Sequence, residues 1–222
     1  GSVTAPHDRQ RLHQLAETVG RCIADQGAVY VFGAEGHDGH LPDVAYRGVK
    51  AREGWALAIT KGKEKGLFSA DARTIIVPSG TVHGGGWEAV IAFACDAMIV
   101  IGGGAGSLQE MTIAYQAGIP IVALRGTGGW ADKLADASLD YRERAKVIGA
   151  SDPVDAVRTA CMLAQEHLVI RRDPQVHLPG GLRRADGRLE PCRLEVPLGD
   201  RGHEEPSVLQ GSDDFVLRHR VE

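Results

Sequence analysis

The chain has no CxxC pair, no apolar run approaching the ~18 residues of a membrane span, and little net charge for its size. Each absence excludes something. The four cysteines, Cys22, Cys95, Cys161 and Cys192, lie far apart. That is neither a disulfide framework nor a zinc signature, and it points to a reducing, cytoplasmic setting. No secretory signal pattern opens the sequence. With 25 basic against 29 acidic residues the net charge is −4, so neither nucleic acid nor an anionic membrane is expected as a partner. What remains is ordinary globular composition, 43% hydrophobic and 24% charged. A chain of 222 residues suffices for one α/β domain with a sizeable core and an extension.

Apolar positions Leu12, Leu15, Ala16, Val19, Ile23 and Ala24 recur at helical spacing, predicting an amphipathic helix over 8–26. Short runs at 28–32, 56–60, 74–77, 97–101 and 119–124 are apolar throughout, as parallel strands buried on both faces require. Helical patterns at 42–53, 86–95, 107–117 and 153–166 alternate with them. The alternation predicts a three-layer, Rossmann-like α/β fold: one mainly parallel central sheet, helices on both faces, strand C-termini along one edge. Composition shifts near 170, so the expected division is a domain over 1–168 and an irregular strand-and-loop extension over 169–222. Within the extension, Asp186-Gly187 marks a hairpin turn.

Strand 97–101 runs directly into Gly102-Gly103-Gly104-Ala105-Gly106-Ser107. Glycines permit positive φ and close approach of a ligand to the backbone. Ser107 suits a helix N-cap with Glu110 three residues on, a capping box that would put Glu110 in the first turn. The free N–H groups and the positive end of the helix dipole favour a phosphate or carboxylate. The same turn would serve equally as a tight connection with no ligand. Gly85-Gly86-Trp87 opens the 86–95 helix and offers a second anion cradle, with Trp87 either stacking on a base or packed against a neighbour. Gly128 and Gly129 belong to a third glycine turn at the same edge. His37 and His40 form one H-x-x-H without acidic or cysteine companions, which reads as a polar loop. Lys61, Lys63 and Lys65 read as a solvated turn, within reach of a phosphate. No metal and no cofactor is called for.

The stretch from Gly102 to Glu110 resembles the PGGxGTxxE signature of the LOG family, the cytokinin-activating nucleoside monophosphate phosphoribohydrolases of the SLOG superfamily. Gly102 stands for the proline and Ser107 for the threonine. Gly39-His40-Leu41-Pro42-Asp43 through Val49 is similar to the family's GxMxAvxxGA segment. Gly126-Thr127-Gly128-Gly129-Trp130-Ala131-Asp132-Lys133 resembles the TGGWADK loop of relatives often labelled lysine decarboxylases, although nothing marks a pyridoxal-phosphate lysine. Resemblance covers roughly 1–168. It implies a Rossmann-like nucleotide-binding domain, a homodimer, and Glu110 as the carboxylate serving ribosyl cleavage.

The departures are specific. Trp87 and Glu88 stand where active members carry an Arg-Lys pair, replacing a bidentate phosphate donor by an aromatic surface. Arg47, on the 42–53 helix that follows Gly39, is the best substitute cation. Members also begin with a strand ahead of the first helix. Here Gly1-Ser2 stands where it should end, so either the chain is a fragment or a segment such as Phe215-Val216-Leu217 fills that place. The leading expectation is a sensor or carrier that binds a nucleotide-like phosphorylated molecule at 102–107 without turnover. The alternatives are a nucleoside 5′-monophosphate N-ribohydrolase using Glu110, and an assembly protein with no ligand there. Because 86–95 is almost wholly apolar after Glu88, that helix is the expected dimer surface.

Overall fold

A computed structural model describes residues 6–35, 39–63 and 72–172. The expected hairpin at 182–189, the segment 215–217 and residues 1–5 lie outside them. Six helices and six strands follow one another: α1 (Pro6–Asp25), β1 (Tyr30–Ala34), α2 (Leu41–Ala51), β2 (Ala56–Thr60), β3 (Thr74–Pro78), α3 (Trp87–Phe93), β4 (Met98–Ile101), α4 (Ala105–Ala117), β5 (Ile121–Leu124), α5 (Gly129–Leu134), β6 (Ile148–Ala150) and α6 (Pro153–Arg172). The α/β class and the parallel strands hold. α6 runs past the expected boundary at 168.

All four strand pairings are parallel. They form two three-stranded ladders, β1-β2-β3 and β4-β5-β6, where one continuous sheet was expected. Side chains close the seam between them: Tyr30 of β1 and Ile99 and Ile101 of β4 share a cluster with Val19 and Ile23 of α1 and Val157 of α6. In β5, Ile121 and Ala123 enter the core under α4 and α5, while Val122 and Leu124 face α6. Both faces are therefore buried, which is why the run carries no polar alternation.

Two elements escaped the sequence reading. β6 is three residues long, and its Gly149 admits the Arg125 guanidinium, which a side chain there would strike. α5 has six residues and opens on glycine, too short for a helical period to show.

α1 and α2 touch backbone to backbone at two glycines. A Cβ on Gly20 would overlap the Ala45 carbonyl, and one on Gly48 would overlap that of Glu17. α3 is covered by the strands through Trp87 and Ile91 and packs on its other side against α4. The premise that a second subunit must cover this helix is thus corrected: α4 does most of it, leaving Phe93 64% exposed.

Replacing Gly20 by alanine should cost about 1–3 kcal/mol in urea unfolding, because neither backbone can retreat from the added methyl. A neutral result would contradict the close contact of α1 and α2.

Candidate functional site

Parallel strands bring the loops after β1 to β5 to one edge. Among the described residues glycine-bearing turns precede α2, α3, α4 and α5 there, and the N–H groups of the last three have different fates.

In the turn before α3, the chain fills its own cradle. Glu88 bends back so that both its carboxylate oxygens accept the Gly84 N–H, at 3.1 and 3.2 Å, and Oε1 lies 3.1 Å from Nδ1 of His83. The Gly85 N–H donates to the Val82 carbonyl at 2.8 Å. Burial alone would raise the Glu88 pKa, but these backbone N–H donors and His83 hold it below the ordinary carboxylate range. Trp87 is 4% exposed, and its indole N–H donates to the Ile59 carbonyl at 3.1 Å. The ring lies where a Cβ on Gly33 would be. His83 meets it edge-on, and Lys61 Nζ sits 4.7 Å from its centroid. The expectation of an anion cradle at Gly85 and Gly86 with Trp87 stacking on a base is corrected: Trp87 is core, the Gly84 N–H serves Glu88, and the Gly85 N–H serves Val82. Arginine at position 87 would bring a charge into a buried site.

The turn before α5 is filled in the same way. Asp132 accepts the N–H groups of Gly126 and Gly128, at 2.6 and 2.8 Å. Gly128 and Gly129, at φ 79° and 59°, do not present a second open cradle but brace the first. Gly129 lies against the Gly102 and Gly103 carbonyls. Those carbonyls accept the Ala131 and Trp130 N–H groups, at 2.8 and 3.2 Å. Thr127 completes the brace by accepting the Gly102 N–H at 2.9 Å and donating to the Leu124 carbonyl at 2.5 Å.

The turn before α4 is left open. Gly102 and Gly103 take φ of 63° and 99°, which only glycine adopts without strain. Gly104 is extended and is the N-cap, with no side-chain hydrogen bond and no acidic residue in the first turn. The first helical bond runs from the Leu108 N–H to the Gly104 carbonyl at 3.0 Å. Among the described residues no acceptor stands on the N–H groups of Ala105, Gly106 and Ser107, the first three of a 13-residue helix. The capping-box expectation is corrected here. α4 starts two residues earlier than the sequence suggests, so Ser107 is its third residue and Glu110 lies in the second turn.

Glu110 is half-buried and has no hydrogen-bond partner among the described residues. Its pKa is pushed up to about 7 by burial and by the charges of Glu88 and Glu35, against which His83 acts. Arg47 is exposed on α2 and is not among these groups, so the structure does not bring the expected substitute cation to Glu110. Instead a cluster that no motif announced stands beside it. Glu35, just after β1, accepts Lys61 Nζ at 2.9 Å; His83 Nε2 lies 2.9 Å from the same oxygen and His40 Nδ1 3.1 Å from the other. One carboxylate thus ties together the loops after β1, β2 and β3 and the N-cap of α2. Burial would raise the Glu35 pKa, but the Lys61 bond and charge, with His40 and His83, carry it below the ordinary range. Lys61 is therefore paired rather than solvated. The available signal was positional: Glu35 and Lys61 are the first charged residues after their strands.

The family model for the SLOG cluster4 family matches residues 1–157. The chain belongs to the SLOG cluster4 family. An uncharacterized protein of Archaeoglobus fulgidus is 29% identical over 125 residues, covering 56% of this chain and 78% of that one. The X-ray structure of TM1055, a structural-genomics target, superposes with a TM-score of 0.61 at 26% identity, over 73% of this chain and 94% of that one. The Moco carrier protein of Chlamydomonas reinhardtii gives 0.58 at 22% identity, over 71% and 90%. The molybdenum cofactor binding protein of Rippkaea orientalis gives 0.54 at 21%, over 76% and 92%. At those last identities the likeness is one of fold. This SLOG cluster4 chain shares it with proteins named for binding a small molecule.

Because the folded Glu110 keeps its proton to about pH 7 while an unfolded one loses it near 4.5, stability falls as pH rises between those values. Glu110→Gln should remove that fall. Denaturant unfolding should find the variant more stable by ~1–3 kcal/mol at pH 8 and equal to wild type near pH 4. An equal difference at both pH values would contradict the burial of an unpaired carboxyl.

Proposed function

We propose that the protein binds a nucleotide-like phosphorylated small molecule, with the phosphoryl group on the N–H groups at the start of α4, and acts as a carrier or sensor without turnover. One observation carries this reading. Of the glycine turns before α3, α4 and α5, the first and last have a carboxylate, Glu88 and Asp132, on their N–H groups, while the one before α4 has none of its own. An unfilled helix N-terminus favours an anion through its donors and its dipole. The site residues are Gly103, Gly104, Ala105, Gly106 and Ser107, with Gly102 and Gly129 holding the turn. The non-phosphate part of the ligand lies toward Glu110. The small-molecule ligands named for the structural neighbours support the same class of role, as do free Cys22, Cys95 and Cys161 for a cytoplasmic setting.

Absence of turnover rests on Trp87 and Glu88. Both have structural work in the places of the family's Arg-Lys pair, so among the described residues neither position supplies a phosphosugar-binding cation beside Glu110. The alternative, an N-ribohydrolase, is favoured by Glu110 alone, since a carboxyl titrating near neutrality suits general acid–base work. Incubation with nucleoside 5′-monophosphates and chromatography for free base separates the two: a carrier releases none.

Ser107→Asp tests the site without endangering the fold. It gives α4 a carboxylate like those of the other two turns, so the helix should gain up to ~1 kcal/mol while binding is lost. Native mass spectrometry of wild type should find a co-purifying phosphorylated ligand that Ser107→Asp lacks. Equal loading of both would place the anion elsewhere.

The protein is further proposed to be a homodimer through α3 and α4. Exposed Phe93 with Ala89, Ile113, Gln116 and Ala117 lines a shallow apolar groove between those helices. Sedimentation at micromolar concentration should give twice the 23.6 kDa chain mass, and Phe93→Glu should halve it. A wild-type monomer would contradict this interface.

A further inference from the structure

Resting on the anion site proposed above, we propose that binding of an anion at the start of α4 is coupled to uptake of a proton by Glu110, so that the ligand is held more tightly in acidic than in alkaline solution. Three features of the geometry carry the coupling. Glu110 lies five residues beyond Ala105 on the same helix, which places it roughly 7.5 Å along the axis from the first free N–H. At roughly 8–10 Å, with an effective dielectric of about 20, repulsion between two unit negative charges weakens binding by on the order of tenfold.

Among the described residues the cations of the cluster are already engaged by other carboxylates. Charged or ionisable groups face Glu110 from each neighbouring element: Glu88 on α3, His83 in the loop before it, and Glu35 after β1. Tyr30 of β1 and Cys95 after α3 also feel its charge. Lys61 is held by Glu35, and His83 lies between Glu35 and Glu88. Glu35 and Glu88 thus have partners and stay ionised, while Glu110 has none among the described residues. A proton is the remaining means of removing its charge. Its pKa, already raised to about 7, leaves the carboxyl ready to take one when a second negative charge arrives.

Calorimetric titration of the full chain with AMP at pH 7, in two buffers of different ionisation enthalpy, counts the protons taken up. The phosphate monoester titrates in the same range, so the comparison is between wild type and Glu110→Gln. Wild type should take up about half a proton more per AMP than the variant, as a group half-ionised at the working pH must. Wild-type affinity should also fall by about tenfold more than the variant's between pH 6 and pH 9. Equal uptake in both proteins would put the proton on AMP or on His83 and overturn the coupling while leaving the anion site standing. Failure of wild type to bind AMP or inorganic phosphate at any pH would remove the anion site, and the coupling with it.

Discussion

A helix that starts directly after a buried parallel strand leaves its first N–H groups facing the sheet edge, where something must accept them. The arrangement of this site follows from how the chain meets that demand. Glu88 and Asp132 are each placed early in a helix and fold back over the turn that precedes it. Their helices are short, seven and six residues, and need a cap to persist. α4, at 13 residues, is held by Met111, Ala114 and Tyr115 in the core and by the brace from α5. It can leave its N–H groups open because packing, not capping, sustains it.

Glu35 settles a second demand, the charge balance of the edge. Its carboxylate draws a lysine and two histidines from separate loops into one cluster, and Lys61 in turn lies over the buried Trp87. Glu35 is the most buried member, so losing it would leave Lys61 and the two histidines without the carboxylate they share. The edge is therefore built as a unit. Glu110, the member without a partner, is the one whose charge responds to what binds nearby.

The strands and the open turn were legible in the sequence because both are local signals: unbroken apolar runs, then glycines before a helix. Boundaries were less so. β1 begins at Tyr30, not Ala28, because its pairing starts opposite Ala56. The roles of Trp87 and Glu88 were not legible, since they are fixed by Gly33 and Gly84, residues that no periodicity connects to them. The positive φ that glycines permit falls at Gly102 and Gly103, while Gly104 is extended. Nor does spacing tell an exposed Arg47 from a paired Lys61. The sequence motif marked the turn proposed to hold an anion, and the packing shows that it, unlike the turns before α3 and α5, has no carboxylate of its own.

The central claim is that, of the described glycine turns before α3, α4 and α5, the one before α4, which has no carboxylate of its own, is the one that takes a ligand. Amide chemical-shift titration with inorganic phosphate tests it most directly, residue by residue. The account predicts shifts confined to Gly103, Gly104, Ala105, Gly106 and Ser107, with the amides of Gly84, Gly126 and Gly128 unmoved because Glu88 and Asp132 hold them. Shifts centred on Gly84, Gly126 or Gly128, or none at the start of α4, would contradict it.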